Sequence, residues 1–504
     1  MIKSFHCLIL FAGCCFCATT VDGAESKPVD IGSRLELFGD RHLIDRLDGL
    51  ELRLHAPQQQ PLPKSPLTGS YLTVIKDGNL YRAYYRGTDA SYQGRTYSGH
   101  PGEITCYAES RDGHEWTFPR LRLFEVNGTR ENNVILAGQP PFSHNFSPFL
   151  DTRPGVDKNE RFKALAGHPG YERRVKAGGL HAFVSADGIH WKKRDDGDVI
   201  PYDKSWSHAF DSQNVSFWSE AEGQYVCYFR SWAPYRGDRR PASTKDDQQN
   251  REAGRASELR SISRMTSPDF RRWSAPVAMN PNLPAEHLYT SQTHPYFRAT
   301  HIYVALPTRY TAGRVGAGKT HSMLGATDIL FMTSRAGTTT FDRLFTEAFI
   351  RPGLESERWE SRANYVGLNV VPTSPTEMSV YHSKSGHRYV LRTDGFVSVR
   401  AGAREGELLT RPLVFRGNEL VLNYSTSAGG SVRVEIQDAG GKPHAGFRLD
   451  ESLESVGDKI EQAVQWKDAP NLGALDGKPV RLRFVMKEAD LYSLQFHNRA
   501  SSKP

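Results

Sequence analysis

The chain has 504 residues, of which 38% are hydrophobic and 24% are charged. This length predicts two or three domains with a sizeable hydrophobic core, and it excludes a small fold held by disulfides. The 64 Lys and Arg residues are interleaved with 57 Asp and Glu residues, which leaves a net charge of +7, so nucleic acid is not an expected partner.

The first 24 residues have the pattern of a secretory signal peptide. Lys3 precedes an apolar stretch at 8–12, and small residues end the segment at 21–24. An alternative interpretation is a lipoprotein cleavage site in the Ala-Gly-Cys triplet at 12–14, although Phe11 stands where a small aliphatic residue is usual. No later stretch reaches the roughly 18 apolar residues of a membrane span. We therefore expect a secreted or periplasmic protein.

Four of the six cysteines lie within the first 17 residues. The other two, Cys106 and Cys227, each lie in a run of strand-forming residues. We expect both to be buried free thiols rather than a disulfide.

A short motif recurs along the chain at intervals of 67 to 82 residues. Its copies begin at Ser110, Ser185 and Ser267, and a degenerate fourth copy begins at Ser334. Each of the first three has Asp two residues after the serine and Trp six residues after it, and the first two have Gly after the Asp. Asp and Gly favour a tight turn, and we expect the aromatic ring to pack between neighbouring sheets.

Between the copies, the chain forms short runs with alternating polarity and many Tyr and Phe residues, as at 80–85, 225–229 and 301–306. This pattern is typical of β-strands. Four strands in about 75 residues predict one propeller blade with long loops. The predicted fold is all-β, with a five-bladed β-propeller at 35–402 followed by a β-sandwich at 403–504. Two stacked β-sandwiches are the alternative architecture.

Three further features, a phosphate-loop-like segment, an acidic turn and the histidines, are not expected to hold a cofactor or metal. The segment 313–320 matches the phosphate-loop pattern, but a strand rather than a helix is predicted soon after it. The acidic turn at 194–198 has the composition of a calcium site, but a solvated turn is the simpler interpretation. The charged stretch at 235–260 is interpreted as a surface insertion, or alternatively as a lid over the pore. The 18 histidines show no zinc-binding spacing.

In a propeller, the residues that open each inner strand converge at one end of the central axis. Five polar and aromatic segments take this position: 39–42 with 69–71, 144–148, 208–214, 289–294 and 361–365. Amides, carboxylates and Arg suit sugar hydroxyls, and aromatic rings suit the apolar face of a sugar. The alternative is that these residues only satisfy backbone groups at strand ends. The candidate substrate-binding residues are Arg362, His144, Asn145, Gln213, Tyr289 and His294.

These features together resemble the five-bladed propeller glycoside hydrolases, the invertase, levanase and arabinanase group of families 32 and 43. The resemblance covers about 35–500 at the level of architecture. It implies one carboxylate at the start of each of the first three inner strands: a nucleophile or base, a transition-state stabiliser and a general acid. This chain has an acid only at the third, Asp211. At the start of the second inner strand, this chain has His-Asn-Phe-Ser-Pro at 144–148, where the family has Arg-Asp-Pro. The start of the first inner strand lacks the family's Asp-Pro-Asn-Gly.

Glycoside hydrolysis needs two carboxyl groups, about 5 to 5.5 Å apart for retention and 6.5 to 9.5 Å apart for inversion. Asp211 is the predicted acid, because the aromatic and polar residues around it would raise its pKa. Asp40 or Glu377 is the predicted base or nucleophile, although Glu377 would be catalytically silent if it were paired with Arg362.

Two other acidic residues are not predicted catalysts. Asp151 is expected to cap a hairpin turn, and Glu103 is expected to be buried or paired in a later strand of its unit.

The expected function is that of an exported glycoside hydrolase acting on a poly- or oligosaccharide. A non-catalytic carbohydrate-binding or scaffold propeller is the first alternative. A sialidase-like enzyme is the second, although the turns differ from the sialidase box and no triple-Arg clamp is evident. The sequence leaves the sugar, the linkage and the oligomeric state open.

Overall fold

The computed structural model describes residues 27–167, 178–202, 209–234, 258–284, 286–314, 325–360, 362–468 and 470–498. Within these ranges the regular structure is β-strand with a few short 3-10 helices, so the predicted all-β class is confirmed. No helix in these ranges is long and apolar enough to cross a bilayer. The predicted signal peptide and most of the charged insertion and of the phosphate-loop-like segment lie outside them.

Five short strands open the described chain. They are β1 (Val29–Gly32), β2 (Glu36–Leu37), β3 (Ile44–Asp48), β4 (Leu50–Leu54) and β5 (Gln58–Gln59).

The next twelve strands form three antiparallel sheets, and each sheet consists of four strands that are consecutive in sequence. The first contains β6 (Ser70–Asp77), β7 (Leu80–Thr88), β8 (Glu103–Ser110) and β9 (Val134–Leu136). The second contains β10 (Ser147–Leu150), β11 (Phe162–Gly167), β12 (Gly179–Ser185) and β13 (Lys192–Pro201). The third contains β14 (Val215–Ser219), β15 (Gln224–Pro234), β16 (Glu258–Ser267) and β17 (Val277–Ala278).

The fourth unit divides into two three-stranded sheets. Its strands are β18 (His287–Leu288), β19 (His294–Tyr296), β20 (Ala299–Ala305), β21 (Thr308–Ala312), β22 (Gly325–Ile329) and β23 (Met332–Arg335). One sheet has the order β19-β20-β23, and the other has the order β18-β21-β22.

The fifth unit is completed by a strand from near the N-terminus. It contains β24 (Val371–Pro372), β25 (Glu377–Tyr381) and β26 (Arg388–Arg392), with β5 paired to β26 at its outer edge.

The recurring turn follows the third strand of each of the first three sheets. In the first copy, Ser110 Oγ accepts a hydrogen bond of 2.9 Å from the Gly113 amide, and Asp112 accepts bonds from the next two amides. The Trp116 ring then contacts Tyr381 of the fifth unit, at 5.6 Å between centroids. The ring thus packs between neighbouring sheets, as the sequence predicts.

The remaining strands form a ten-stranded sheet. They are β27 (Val397–Ala401), β28 (Gly406–Thr410), β29 (Leu413–Phe415), β30 (Glu419–Asp438), β31 (Asp458–Ala463) and β32 (Pro479–His497), together with β1 to β4. The long antiparallel pair β30 and β32 forms its centre, and its buried face includes stacked Phe415 and Phe496 rings, 3.8 Å apart.

The sequence assigns residues 35–54 and β27 to the propeller, but their strands pair with β28 and β32 or with each other in this large sheet. The physical reason is that alternating polarity identifies a strand without identifying its partner. The boundaries at 35, 402 and 403 stay predictions.

Candidate functional site

Four remote segments meet in one hydrogen-bonded network at the starts of the inner strands. Gln213, just before β14, donates to Thr73 Oγ1 in β6 at 2.8 Å. Gln292, just before β19, donates to Gln213 Oε1 at 2.9 Å and to the Val366 carbonyl at 2.7 Å. Gln213 and Gln292 belong to two of the predicted segments, 208–214 and 289–294, which therefore lie together. The nitrogen and the oxygen of the Gln213 side-chain amide are both bonded within the protein, so Gln213 stabilises the scaffold of the site.

Asn145 holds the loop that carries Asp211. Its Nδ2 donates to the carbonyls of Phe210 and Ser212, at 3.0 and 3.1 Å, and its Oδ1 accepts from the Gly167 amide at 2.9 Å. Phe210 has a φ of +73°, a conformation that costs energy for a side-chain-bearing residue and needs such support. Asn145 therefore positions the backbone on both sides of Asp211.

His294 is also used internally. Its Nδ1 lies 2.9 Å from the Gln292 carbonyl, and its Nε2 accepts from the Val370 amide at 3.0 Å. Burial lowers the pKa of His294 to about 4, so the ring is neutral at pH 7. Since both nitrogens are bonded to backbone groups, His294 fits the alternative interpretation, in which such residues satisfy strand ends.

His144 lies between two carboxylates. Its Nδ1 is 3.0 Å from both oxygens of Glu103, and its Nε2 is 3.9 Å from Asp211 Oδ1. Because the two ring nitrogens are only about 2 Å apart, the carboxylate oxygens are separated by at most about 9 Å, and this limit includes the spacing of inverting glycosidases. The chain therefore does bring a second acidic side chain to Asp211.

Glu103 opens β8 and is only 9% exposed. Burial acts to raise its pKa, but the hydrogen bond and charge of His144 and the charge of Arg86 outweigh burial and lower it. Arg86 Nη1 is 3.7 Å from Glu103 Oε1, and the Gly99 amide donates to Oε2 at 3.1 Å. Glu103 is thus buried and paired, as the sequence predicts, and it is ionised at neutral pH.

Asp211 is the more accessible carboxylate. The Asp211 side chain is 28% exposed. The side chains of His144 and of Arg230, which forms an ion pair with Asp211, are each 5% exposed. Arg230 lies in β15, so the second strand of the third sheet supplies the cation. Asp211 is therefore accessible to a ligand in solution, whereas these two neighbours are not.

Tyr71 lines the first-sheet side of the site. Its ring lies below the Arg86 guanidinium, 4.7 Å from the centroid, and meets the His144 ring edge-on at 5.8 Å. Burial raises the pKa of Tyr71, and the charges of Arg86 and Asp211 also act on it, in opposite directions. Tyr71 belongs to the predicted 69–71 segment.

Tyr289 and Arg362, two predicted binding residues, lie together. The Arg362 guanidinium is 5.9 Å from the Tyr289 ring, and Arg260, which the sequence analysis does not single out, is 4.9 Å from it. The Tyr365 ring is 6.2 Å from Tyr289. Arg362 and Arg230 both influence the raised pKa of Tyr365, which burial dominates.

Two predicted catalytic carboxylates have their contacts elsewhere. Asp40 is buried and forms an ion pair with Arg335 of β23, at 2.7 Å. Glu377 accepts a bond of 2.7 Å from Arg388 on the neighbouring strand β26, and not from the predicted partner Arg362. Glu377 and Arg388 lie on the same face of these two adjacent strands, although the residue directly opposite Glu377 is Arg392.

Asp151 caps its turn, as predicted, by accepting from the Arg153 amide at 3.0 Å. It also forms an ion pair with Lys163 that the sequence does not reveal.

The sequence predicts that Glu103 is buried or paired but does not place it near Asp211, because only the starts of inner strands are expected to converge. In an antiparallel meander the first and third strands run in the same direction, so both begin at the same end of the sheet. A search of the third-strand starts would have included Glu103.

No family model and no curated protein matches the chain. Among solved structures it is similar to a glycoside hydrolase, with a TM-score of 0.41 and 13% identity over 67% of this chain and 91% of the other. It is similar to a thermostable family-43 glycoside hydrolase, with a TM-score of 0.40 and 13% identity over 68% of this chain and 96% of the other. It is also similar to an N-acetylgalactosamine deacetylase from F. plautii, with a TM-score of 0.37 and 12% identity over 87% of this chain and 95% of the other. Since these TM-scores are below 0.5, the proposals below rest on the residues of this chain.

Proposed function

We propose that this chain is an exported glycoside hydrolase that acts on a poly- or oligosaccharide through Asp211 and Glu103. The observation that supports this function is the position of the His144 ring, 3.0 Å from Glu103 and 3.9 Å from Asp211. Hydrolysis of a glycosidic bond needs two carboxyl groups, and the nearest oxygens of this pair are separated by at most about 9 Å, a limit that includes the spacing of inverting enzymes.

The proposed architecture is a five-bladed propeller that carries this site at the starts of its inner strands. The three four-stranded sheets, the divided fourth unit and the fifth unit with β5 are the five blades. The proposed C-terminal sandwich takes its strands from the ten-stranded sheet, which also includes β1 to β4 and β27. Support comes from the sheet order and from the Gln213 network, which joins segments of four units.

The two carboxylates have different roles because their surroundings differ. Asp211 is partly exposed and exchanges a proton with the glycosidic oxygen or with water. Glu103 is buried and held ionised by His144 and Arg86, so it stabilises the positive charge of an oxocarbenium-like transition state. Glu103 is thus the second carboxylate of the pair, with a stabilising role in place of the base or nucleophile role that the sequence predicts for Asp40 or Glu377.

The lining residues divide into two groups. Tyr71, Tyr289 and Arg362 face the sugar. Asn145, Gln213 and His294 hold the loops and strand ends, since their polar atoms are bonded within the protein.

The test is product formation from a broad panel of poly- and oligosaccharides. Asp211→Asn and Glu103→Gln should each lower turnover of a cleaved glycan by about 10²- to 10⁴-fold, the usual contribution of a positioned acid or base. Glu377→Gln is the matched control, and it should keep turnover. Full turnover by Asp211→Asn would exclude the proposed role, and an equal loss in Glu377→Gln would show that the effect is not specific to this site.

A non-catalytic carbohydrate-binding protein is the second candidate. One observation favours it: Arg230 forms an ion pair with Asp211, and an adjacent opposite charge favours the ionised carboxylate over the protonated acid. Equilibrium binding of a glycan with no product after prolonged incubation would support this second candidate.

A further inference from the structure

Two buried side chains near Asp211 carry polar atoms that form no hydrogen bond within the described part of the chain. They belong to His287 in β18 and to Tyr289, which directly follows β18. The two residues are only 2% and 5% exposed. The atoms are His287 Nε2 and the Tyr289 hydroxyl oxygen, and both are themselves buried.

The two side chains lie on the same side of their strand. Successive side chains of a strand point to opposite faces, and Leu288, which stands between them, belongs to the hydrophobic core. Tyr310 of β21 is directly opposite His287. The centroid of the Tyr310 ring is 5.7 Å from that of His287 and 5.2 Å from that of Tyr289. His287 and Tyr289 therefore share one aromatic neighbour.

Both atoms are available as hydrogen-bond donors. His287 Nδ1 accepts a hydrogen bond of 3.1 Å from the Arg260 amide, so the proton of the neutral ring is on Nε2. Burial, with help from the charges of Arg260 and Arg230, lowers the pKa of His287 to about 3, which keeps the ring neutral. The Tyr289 hydroxyl group is the second donor.

Aromatic rings surround these donors. The Trp232 ring is 6.3 Å from the His287 ring. The Arg260 guanidinium is stacked on two of the rings, 4.7 Å from that of Trp232 and 4.9 Å from that of Tyr289. We call Trp232, His287, Tyr289 and Tyr310 the aromatic cluster. Its rings offer apolar faces beside two polar donors.

The aromatic cluster adjoins the loop that carries Asp211. Ser212, the residue after Asp211, donates a hydrogen bond of 2.5 Å from its Oγ to the Tyr289 carbonyl. A substituent held by the cluster can therefore belong to a sugar that also contacts Asp211.

Buried polar groups are almost always hydrogen-bonded, so two neighbouring exceptions indicate a ligand that supplies the acceptor. We propose that His287 and Tyr289 bind the carbonyl oxygen of an acyl substituent on the glycan, either an N-acetyl or an O-acetyl group. That the ligand is a glycan rests on the proposed function, whereas the recognition of an acyl group rests on the aromatic cluster.

An acyl group matches both features of the cluster. Its carbonyl oxygen has two lone pairs and no proton, so it accepts from both donors at once. Its methyl group packs against the apolar faces of the rings. A sugar hydroxyl would need the Tyr289 oxygen to accept its proton, and it would bring no apolar group to the rings.

Binding is measured by calorimetry with pairs of oligosaccharides that differ in their acyl groups, after an array of acylated glycans has shown which ones bind. Chitotetraose and cellotetraose test the N-acetyl group. Acetylated xylotetraose and its alkali-treated form test the O-acetyl group. Absence of the acyl group should weaken binding by about tenfold or more, because both buried donors then lose their acceptor. The pair that shows this loss identifies which acyl group is bound.

Tyr289→Phe removes one donor and keeps the ring. It should weaken binding of the acylated member by about three- to tenfold, the usual effect of one hydrogen bond, and leave the other member within about twofold. Tyr492→Phe is the matched control, because it removes the hydroxyl of another buried tyrosine, in β32 of the ten-stranded sheet. This control should bind both members within about twofold of the unchanged protein.

Thermal unfolding shows whether each variant is folded. If Tyr289→Phe is not folded, the comparison of the two members of each pair on the unchanged protein decides.

Four outcomes would overturn the proposal. They are equal binding of both members of each pair, unchanged binding of the acylated member by folded Tyr289→Phe, equal weakening of both members by this variant, and no binding of any acylated glycan. Equal weakening would show that the donors hold a sugar hydroxyl or internal water only.

Mass spectrometry of the same mixtures separates this proposal from the proposed function. Asp211-dependent cleavage without any preference for the acylated member would keep the hydrolase and exclude acyl recognition. Tyr289-dependent preference for the acylated member, without cleavage of any glycan, would keep acyl recognition and exclude the hydrolase.

Discussion

Lys163→Met is expected to destabilise the second and third sheets strongly. Lys163 Nζ and Asp151 Oδ2 are 2.7 Å apart, and their side chains are 1% and 0% exposed. The Tyr225 hydroxyl of the third sheet donates to the same Asp151 oxygen at 2.7 Å. Methionine keeps most of the apolar length of lysine but removes its charge, so the Asp151 carboxylate stays buried without a cation.

The magnitude follows from desolvation. Breaking a buried ion pair by removing one partner costs about 3 to 5 kcal/mol. We expect the lower half of this range, because Tyr225 and the Arg153 amide still donate to Asp151 in the variant. Urea unfolding gives the change in the free energy of unfolding, and hydrogen exchange of the β11 amides shows whether the loss is local.

The matched control is Arg272→Met. Arg272 pairs with Asp269 at 2.8 Å, but its side chain is 83% exposed. Solvent screening limits such a pair to less than about 1 kcal/mol. If Lys163→Met cost no more than this control, the reasoning from burial would be refuted.

Three further predictions concern protonation, packing and thiol reactivity. Burial lowers the pKa of His294 in the folded protein to about 4, from 6.5 in the unfolded chain. Between these pH values the unfolded chain binds more protons than the folded protein, so the free energy of unfolding should fall as the pH drops from 7 to 5. His294→Gln should flatten this dependence of the urea midpoint, and an unchanged slope would contradict the assignment. Gly188→Ala should destabilise by about 2 to 4 kcal/mol, because a Cβ would lie 2.5 Å from buried Tyr84 Oη at a φ of +76°. Gly197→Ala, with a φ of +74° and nothing within 4 Å, should cost only about 1 to 2 kcal/mol in the same thermal measurements, and equal costs would exclude the packing argument. Burial raises the pKa of Cys106 to about 12, so its thiol should not react with a disulfide reagent at pH 8 until the protein is unfolded, and rapid native reaction would show that it is accessible.

The regular parts of the fold follow from local patterns in the sequence. The Ser-x-Asp-Gly turn can be recognised because Ser110 and Asp112 bond to amides two or three residues away. Strand runs can be recognised from alternating polarity. The two free, buried thiols, Cys106 and Cys227, are also as expected, because both lie in strands with apolar neighbours.

Part of the candidate site is predictable for the same reason. His144, Asp211, Tyr289 and Arg362 all belong to segments just before inner strands, and the structure places these four near one another or near shared partners. Asn145, Gln213 and His294 belong to the same segments, but the polar atoms of their side chains are bonded within the protein. Sequence position alone does not separate the two groups, since orientation depends on which polar atoms remain unpaired nearby.

The sequence by itself determined the β class, the repeated turn, the buried thiols and the stretch that carries Asp211, because each depends on residues that are close along the chain. Only the tertiary structure decided that β2 to β4 join the C-terminal strands, that Asp40 pairs with Arg335, and that Glu103 faces His144. The physical reason is that strand pairing and ion pairing depend on complementary neighbours brought together by folding, and alternating polarity specifies one face of a strand without specifying the strand beside it.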